Sequence, residues 1–339
     1  MTIKNHYPLK AHNTFGLAAN CKRYVEYDTD EEALDVARML RSTPDLPFLI
    51  IGRGSNLLLT KDFPGVVIRS AIMGKRLYPQ ADGTVILTCG SGESWEDVVG
   101  WTVEKGYSAF VNLSLIPGDV GASAVQNIGA YGVEVAQYID HIRAVDLKSC
   151  EMVVIEGSEC NYAYRYSRFK QEWKNRYLIC EVCYQLPMDE PLRLGYGNIC
   201  EELVRRGITS PTPGQLRQVI IDIRRQKLPD PEELGNAGSF FMNPIIERRA
   251  YIGLLEQYPQ MPHYDVDPDH VKIPAAWLID QCGWKGRRMG QAGVHHRQPL
   301  VLVNLGGATG DEVVALCQAI QHDVKCKFNI ELFPEVNIV

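Results

Sequence analysis

The sequence predicts an α+β protein, and three observations lead there. An early stretch reads strand, helix, strand. The glycine turn that follows lacks the spacing of a dinucleotide fold, and beyond it further strands are interspersed with capped helices. In chain order, Thr29 with Glu32 forms a capping-box signature. Ala33, Leu34, Val36, Ala37 and Leu40 then recur at helical spacing, and Pro44 marks the end of that helix. Phe48 to Ile51 reads as a buried strand, and a turn through Gly52-Arg53-Gly54-Ser55-Asn56 leads into a second apolar run, Leu57 to Leu59. A Rossmann unit requires a third glycine and an immediately following helix, and this segment has neither.

Thr84 to Cys89, Ile142 to Leu147 and Leu178 to Leu186 read as strands, with a helix from Ser94 that stops at Gly106. Thr212-Pro213-Gly214-Gln215 opens a helix with the apolar face Leu216, Val219, Ile220 and Ile223, ending before Pro229. Ala275 to Cys282 and Asp311 to Val324 read as further helices, the second capped by Thr309 with Glu312, and Lys327 to Leu332 as a strand. Domain boundaries are expected near residues 70 and 225, and no internal repeat or low-complexity linker interrupts the chain.

With 339 residues and an ordinary share of apolar and charged side chains, the chain can bury two or three packed domains. The formal charge of −6 is spread without a basic field, so neither nucleic acid nor an anionic membrane is an expected partner. The N-terminus lacks the apolar core of a signal peptide, and no apolar run is long enough to span a bilayer, so the cytoplasm is expected. The ten cysteines follow no repeated spacing and read as reduced, packed thiols. Cys180 and Cys183 have metal-like spacing. On a strand, however, positions i and i+3 face opposite sides, and no second pair completes a zinc site. Adjacent His295 and His296 diverge likewise, and Asp265, Asp267 and Asp269 read as a solvated loop, so no metal is expected.

Six segments carry candidate chemistry. Leu115 to Gly132 holds four glycines among small and amide-bearing residues, so its backbone can approach a ligand closely. Its consecutive N–H groups could surround a pyrophosphate without any Lys or Arg. Together with Gly54-Ser55-Asn56 it suits a large phosphate-bearing cofactor, although both segments also read as tight structural turns. In Asn236 to Pro244, Ser239 sits beside a glycine and two phenylalanines, a pattern open to a site walled from water or to a capping serine over a buried ring pair. Tyr162-Ala163-Tyr164-Arg165-Tyr166 could hold a carboxylate and Pro334-Glu335-Val336 could transfer a proton, while each could equally be a surface ion pair. Arg224 to Pro229 is open in the same way.

In this order the segments resemble the UDP-N-acetylenolpyruvoylglucosamine reductases, flavoenzymes that make UDP-N-acetylmuramate for bacterial cell walls. The likeness runs from Asn13-Thr-Phe-Gly16 through Gly-Ser-Asn, Ile-Pro-Gly, Gln-Asn-Ile-Gly-Ala-Tyr-Gly, Tyr-Arg, Lys-Leu-Pro-Asp-Pro, Gly-Ser-Phe-Phe and Trp277-Leu-Ile-Asp-Gln281 to Pro-Glu-Val. The resemblance implies two FAD-binding subdomains of the vanillyl-alcohol-oxidase-like type, residues 1–70 and 71–225. It also implies a C-terminal α/β substrate domain, residues 226–330, and a strand at 331–339 returning to the active site. It places Gly54, Ser55, Asn56, Gly118, Gly121, Ser123, Gln126, Asn127, Gly129 and Tyr131 about non-covalent FAD. Tyr164, Lys227, Asn243, Tyr264, Lys272 and Gln298 fall about the substrate, UDP-N-acetylglucosamine enolpyruvate. Tyr196, between Gly195 and Gly197, matches the mobile-loop tyrosine of the longer subtype.

The implied reaction uses NADPH as hydride donor, Ser239 as proton donor, and Arg165 with Glu335 to stabilise an enolate-like state. A monomer is expected. Ala124, Gln291, Gly293 and Asn337 depart from the family pattern, the last standing where an arginine is usual near the flavin. Two rival readings are a binding protein that has lost turnover and a flavin oxidase on the same fold. The presence of Arg165, Ser239 and Glu335 together favours the reductase.

Overall fold

The computed structural model describes residues 1–339, which fall into two compact units. The first comprises Met1–Tyr7, Cys21–Arg53 and Phe63–Arg224, and the second Pro8–Asn20, Gly54–Asp62 and Arg225–Val339.

In the first unit, strands Asn20–Tyr27, Phe63–Ser70 and Phe48–Ile51 form a parallel core to a four-stranded sheet, with Thr2–Pro8 on its edge. Parallel pairing demands a crossover, and helix Asp30–Ser42 supplies it. Thr29 caps that helix by accepting from the Glu32 N–H, and Ala33, Val36, Ala37 and Leu40 are buried, as the sequence spacing requires. A second sheet is antiparallel throughout, in the order Glu151–Glu156, Ile139–Asp146, Tyr177–Pro187, Thr84–Gly90, Lys75–Pro79. One face packs with Val25, Ala33, Val36 and Ile68 through Val145, Leu178 and Cys180. The other packs on Trp95, Val98 and Phe110 through Ile142, Ala144, Val182, Tyr184 and Leu186.

Leu178, Cys180, Val182, Tyr184 and Leu186 would all share a face in a regular strand. They divide between two cores because the register slips between Arg143 and Ala144, where one residue bulges at position 180. This overturns the expectation that Cys180 and Cys183 face opposite sides. Arg143, on the helix side, reaches both Asp30 and Glu181, and Glu181 accepts the Cys183 thiol at 3.5 Å. Both thiols therefore lie on the helix side, buried and unbridged, and burial pushes Cys180 up to about 12. Helices Ile199–Arg205 and Pro213–Lys227 build a third core, in which Leu216, Val219, Ile220 and Ile223 are all buried.

In the second unit, an antiparallel sheet orders Asn236–Ser239, Val301–Asn304, Ala292–Val294 and Arg288–Met289. It shares a core with helices Ala275–Gln281 and Gly310–Phe328. A three-stranded sheet holds Ile245–Glu247, His270–Lys272 and Tyr264–Asp265. Asn13 is buried with its amide donating to Leu9 and Leu17 carbonyls, at 2.9 and 3.0 Å, while its oxygen accepts the Leu17 N–H. That closes the loop carrying Phe15 into the core against Phe240. No helix is long and apolar enough to cross a membrane.

Two further expectations are corrected. Lys327 to Leu332 is not a strand: the helix capped by Thr309 and Glu312 runs on to Phe328, because Val324 and Phe328 continue its buried face, and it ends at left-handed Asn329. Within 331–339 only Asn337–Ile338 is a strand, parallel to Leu57–Leu58. Phe48–Ile51 and Leu57–Leu58 are both strands, as the sequence pattern suggests, and they belong to separate sheets.

Candidate active site

The candidate residues lie in both units, and each set has its own local logic. In the first unit the glycine-rich loop is not wholly loop, since Val120–Gln126 is helical. Its N–H groups are partly committed: Val120 donates to Glu93, Gly121 to Ser91 and Ser123 to Asp119, at 2.9 to 3.0 Å. Gly121 is required by close approach, because a Cβ there would stand 2.9 Å from the Ser91 Cβ. Gly118 has φ +136°, a region only glycine occupies without strain. The buried Ser123 hydroxyl donates to the Val120 carbonyl at 2.7 Å.

Asn127 is left-handed and wholly buried. Its amide donates to Glu134 and to the Ala163 carbonyl at 2.9 Å each, and its oxygen accepts the Ala136 N–H, so the side chain builds the turn from within.

Arg165 closes this turn. Its guanidinium donates to the Gly129 carbonyl at 2.8 Å and to the Asn127 carbonyl at 3.4 Å, and its Cζ stands 5.3 Å from the centre of the Tyr164 ring. A Cβ on Gly129 would lie 2.9 Å from the Val133 carbonyl oxygen and 3.1 Å from Arg165 Nη1, so a side chain at 129 would crowd both the turn and the guanidinium. Arg224, in a segment the sequence left open, belongs here too. It donates from Nε to the Leu115 carbonyl at 3.1 Å and pairs with the Tyr131 phenol. Burial pulls the Arg224 pKa down, reinforced by the Arg165 charge and opposed by Tyr131 and Glu96. Tyr131 is left-handed and meets Tyr196 edge to face at 6.3 Å, and Tyr196 also lies over Gly132. Sequence reasoning did not foresee this contact between the expected mobile-loop tyrosine and the expected cofactor tyrosine. The signal was available only as flanking glycines.

A further group missed from the sequence stands at the start of the same helix. Asp119 is buried, its Oδ1 receives Arg53 Nε at 2.6 Å, and Arg69 Nη2 approaches Oδ2 at 3.5 Å. The loop thus has guanidinium groups close by in addition to its backbone N–H groups.

In the second unit Gly54 is fixed by packing. A Cβ there would fall 2.0 Å from the His12 carbonyl oxygen, and φ is +69°. Asn56 donates to the Glu335 carbonyl at 3.3 Å and accepts at its own carbonyl from both the backbone and the side-chain amide of Asn337, each at 3.1 Å. Asn337, the departure from an expected arginine, is therefore a tie to the Gly-Ser-Asn turn.

Ser239 is no capping serine. It pairs with Val301 in the sheet past a register shift at left-handed Gly238, and it is exposed while Phe240 and Phe241 turn into the core. Glu335 is brought alongside, its N–H donating to the Phe240 carbonyl at 2.8 Å, and Pro334 bridges Phe241. Gln298 occupies the hairpin that precedes Val301, whose N–H donates to the Gln298 carbonyl. Ser239, Glu335 and Gln298 are thus gathered at one corner by main-chain pairing.

Asn243 spends its oxygen on the Ala275 N–H at a helix start, at 2.9 Å. Tyr264 and Lys272 are cross-strand partners, with the ammonium 5.9 Å from the ring centre. Lys227 is exposed at the end of its helix. His295, on the strand side of the Gln298 hairpin, is buried with an unpartnered Nδ1, and burial lowers its pKa, helped by His296 and Arg297.

Comparison with known proteins follows the same division. Residues 21–155 match an FAD-binding domain family, and residues 230–339 match the C-terminal domain of UDP-N-acetylenolpyruvoylglucosamine reductase. The chain is 45% identical over 338 residues to a UDP-N-acetylenolpyruvoylglucosamine reductase of Bacteroides fragilis, covering 99% of this chain and all of that one. It is 45% identical over 337 residues to that of Burkholderia multivorans, covering 99% and 96%. Among solved structures, the reductase of Thermus caldophilus matches the fold with a TM-score of 0.66 at 22% identity, over 100% of this chain and 99% of that one.

Proposed function

Since this chain belongs to the UDP-N-acetylenolpyruvoylglucosamine reductase family, we propose how its own residues divide the work of that reaction. The protein is an FAD-dependent oxidoreductase that reduces UDP-N-acetylglucosamine enolpyruvate to UDP-N-acetylmuramate in peptidoglycan precursor synthesis. The first unit suits the cofactor in this reading, because Gly118 takes a φ of +136° and Gly121 brings its backbone close against Ser91, giving a compact glycine turn whose main chain a ligand can approach. When bound, FAD supplies hydride, taken originally from NADPH, to the terminal carbon of the enolpyruvyl group.

Hydride arrival leaves an electron pair on the adjacent carbon, delocalised into its carboxylate. Ser239 donates its hydroxyl proton to that carbon, completing net addition of two hydrogens, and the serine oxygen recovers a proton from solvent. Arg165 offsets the developing negative charge as a preorganised guanidinium, and Glu335 supports the same state beside Ser239. A serine hydroxyl is a weak acid, but a carbanion is a base strong enough to take its proton.

The single observation carrying the proton-donor role is that Ser239 alone of Gly-Ser-Phe-Phe is exposed, with Glu335 fixed next to it by the main chain. Tyr164, Lys227, Asn243, Tyr264, Lys272 and Gln298 bind the nucleotide sugar in this reading, and Tyr196 folds over it. The first unit divides near residue 70 into two FAD-binding subdomains, residues 226–330 form the substrate domain, and the protein works as a cytoplasmic monomer.

Anaerobic stopped-flow absorbance tests the reading. NADPH should bleach the flavin, and the enolpyruvyl nucleotide should restore its colour with formation of UDP-N-acetylmuramate. A reduced flavin that ignores the nucleotide but reoxidises rapidly in oxygen would refute it in favour of an oxidase.

A further inference from the structure

Around Asp119 the fold concentrates charge that neither the packing nor the proposed reaction uses. The carboxylate is 2% exposed, and Oδ1 is committed to Arg53 Nε at 2.6 Å. Oδ2 makes no hydrogen bond and has only Arg69 Nη2 nearby, at 3.5 Å. Arg69 is held elsewhere as well, by Glu26 at 3.1 Å, itself bonded to the Tyr24 phenol. Arg53 differs from Arg69 in two respects. Its side chain is 47% exposed, and neither terminal Nη group has a partner in the protein.

Its root is nevertheless fixed. Gly52 packs against the first turn of Val120–Gln126, where a Cβ would meet the Ala122 Cβ at 3.2 Å and Asp119 Oδ2 at 3.3 Å. Backbone and Nε are therefore both anchored, while the planar fork that matches two oxygens at once is left unused. A purely structural surface pair would not need its acidic partner buried, since exposed pairs contribute little and burying a carboxylate costs more than one such bond returns. The anchored turn sits where the strand Phe48–Ile51 of the parallel set ends, and the carboxyl ends of parallel strands are where such sheets take ligands.

The geometry points to Arg53 as a further cofactor residue: held at Nε by buried Asp119, it presents its two Nη groups to phosphate oxygens of the FAD pyrophosphate. Asp119 is then a positioning residue that fixes the fork and need not touch the cofactor.

The test uses the full chain stripped of flavin, titrated with FAD at several salt concentrations, with apoprotein unfolding measured alongside. Arg53→Gln should weaken FAD binding by about 10–100-fold, the scale of a charge-assisted bidentate contact. It should also flatten the dependence of affinity on salt, because one ionic contact is gone. Because Arg53→Gln also strips buried Asp119 of its Nε partner, the apoprotein midpoint should fall. Arg53→Lys, which keeps a cation beside Asp119 but loses the fork, should restore most of the midpoint and still bind FAD at least about tenfold more weakly than the parent. The proposal is overturned by FAD affinity within about twofold of the parent. It is equally overturned by an Arg53→Gln loss of affinity that keeps the parental salt dependence, or by parental FAD affinity in Arg53→Lys.

Discussion

Replacing Gly54 by alanine separates two reasons why a glycine stands in the Gly-Ser-Asn turn, and Gly16→Ala supplies the control. Both glycines are left-handed, at φ +69° and +65°, and both lie in the second unit. The strain of placing an L residue in that region is therefore nearly the same for each, roughly 1–2 kcal/mol. Each also gains back about 0.4–1 kcal/mol because the unfolded chain loses freedom.

They differ in space. A Cβ at 16 meets nothing within 4 Å, whereas one at 54 would sit 2.0 Å from the His12 carbonyl oxygen and 2.8 Å from the Asn13 Cα. Both of those are backbone atoms in a loop that the Asn13 amide ties shut, so relief requires moving main chain. Overpacking of that kind costs about 1–3 kcal/mol. Gly16→Ala should therefore lose about 1 kcal/mol or less, and Gly54→Ala about 2–4 kcal/mol, in urea unfolding of the same unit. Equal losses for the two variants, within about 0.5 kcal/mol, would refute the packing argument and return Gly54 to a purely ligand-facing role.

Two other outcomes follow from burial. His295 has a folded pKa below its unfolded value, so the unfolded chain takes the proton more readily. Its contribution is complete above the ordinary histidine range and is lost as pH falls through the lowered folded value, at no more than about 1.4 kcal/mol per pH unit. His295→Asn should flatten the fall in thermal stability between about pH 7 and pH 5, and an unchanged profile would contradict the assignment. Among the ten thiols only Cys200 and Cys326 are exposed, while burial pushes Cys160 to about 11 and Cys317 to about 12. A thiol reagent at neutral pH should titrate two groups rapidly in the native protein, half-buried Cys150 and Cys282 more slowly, and all ten after denaturation; five or more rapid groups would show the packing to be looser.

What the sequence made legible were features whose physics is local. Thr29 with Glu32 and Thr309 with Glu312 marked true helix starts, because a cap and its partner lie within one turn. The helix after Thr309 was read too short, since nothing between Val324 and Phe328 breaks helical geometry and the stop is set by left-handed Asn329. The bulge at position 180 was not legible, because it is defined by its register against Arg143 and Ala144.

The same distinction runs through the candidate site. Ser239 was an ambiguous hydroxyl until its pairing with Val301 and the inward turn of Phe240 and Phe241 separated the exposed oxygen from the core-forming rings. Glu335 reaches that corner by pairing across the unit, with Phe241 opposite Pro334 and Asn337–Ile338 beside Leu57–Leu58. The ordered resemblance could name these residues, but only the fold explains why they meet. Arg53 and Asp119 were invisible as a pair, being 66 positions apart in the chain.

The central claim is that Ser239 delivers the proton after hydride has arrived, and the two half-reactions of Ser239→Ala test it most directly. In anaerobic stopped flow, reduction of the bound flavin by NADPH should proceed at the parental rate. Reoxidation by the enolpyruvyl nucleotide should slow by roughly 10²–10⁴-fold, or about 3–5 kcal/mol of barrier. Loss of less than about tenfold in that second half-reaction, or an equal loss in both, would contradict the account.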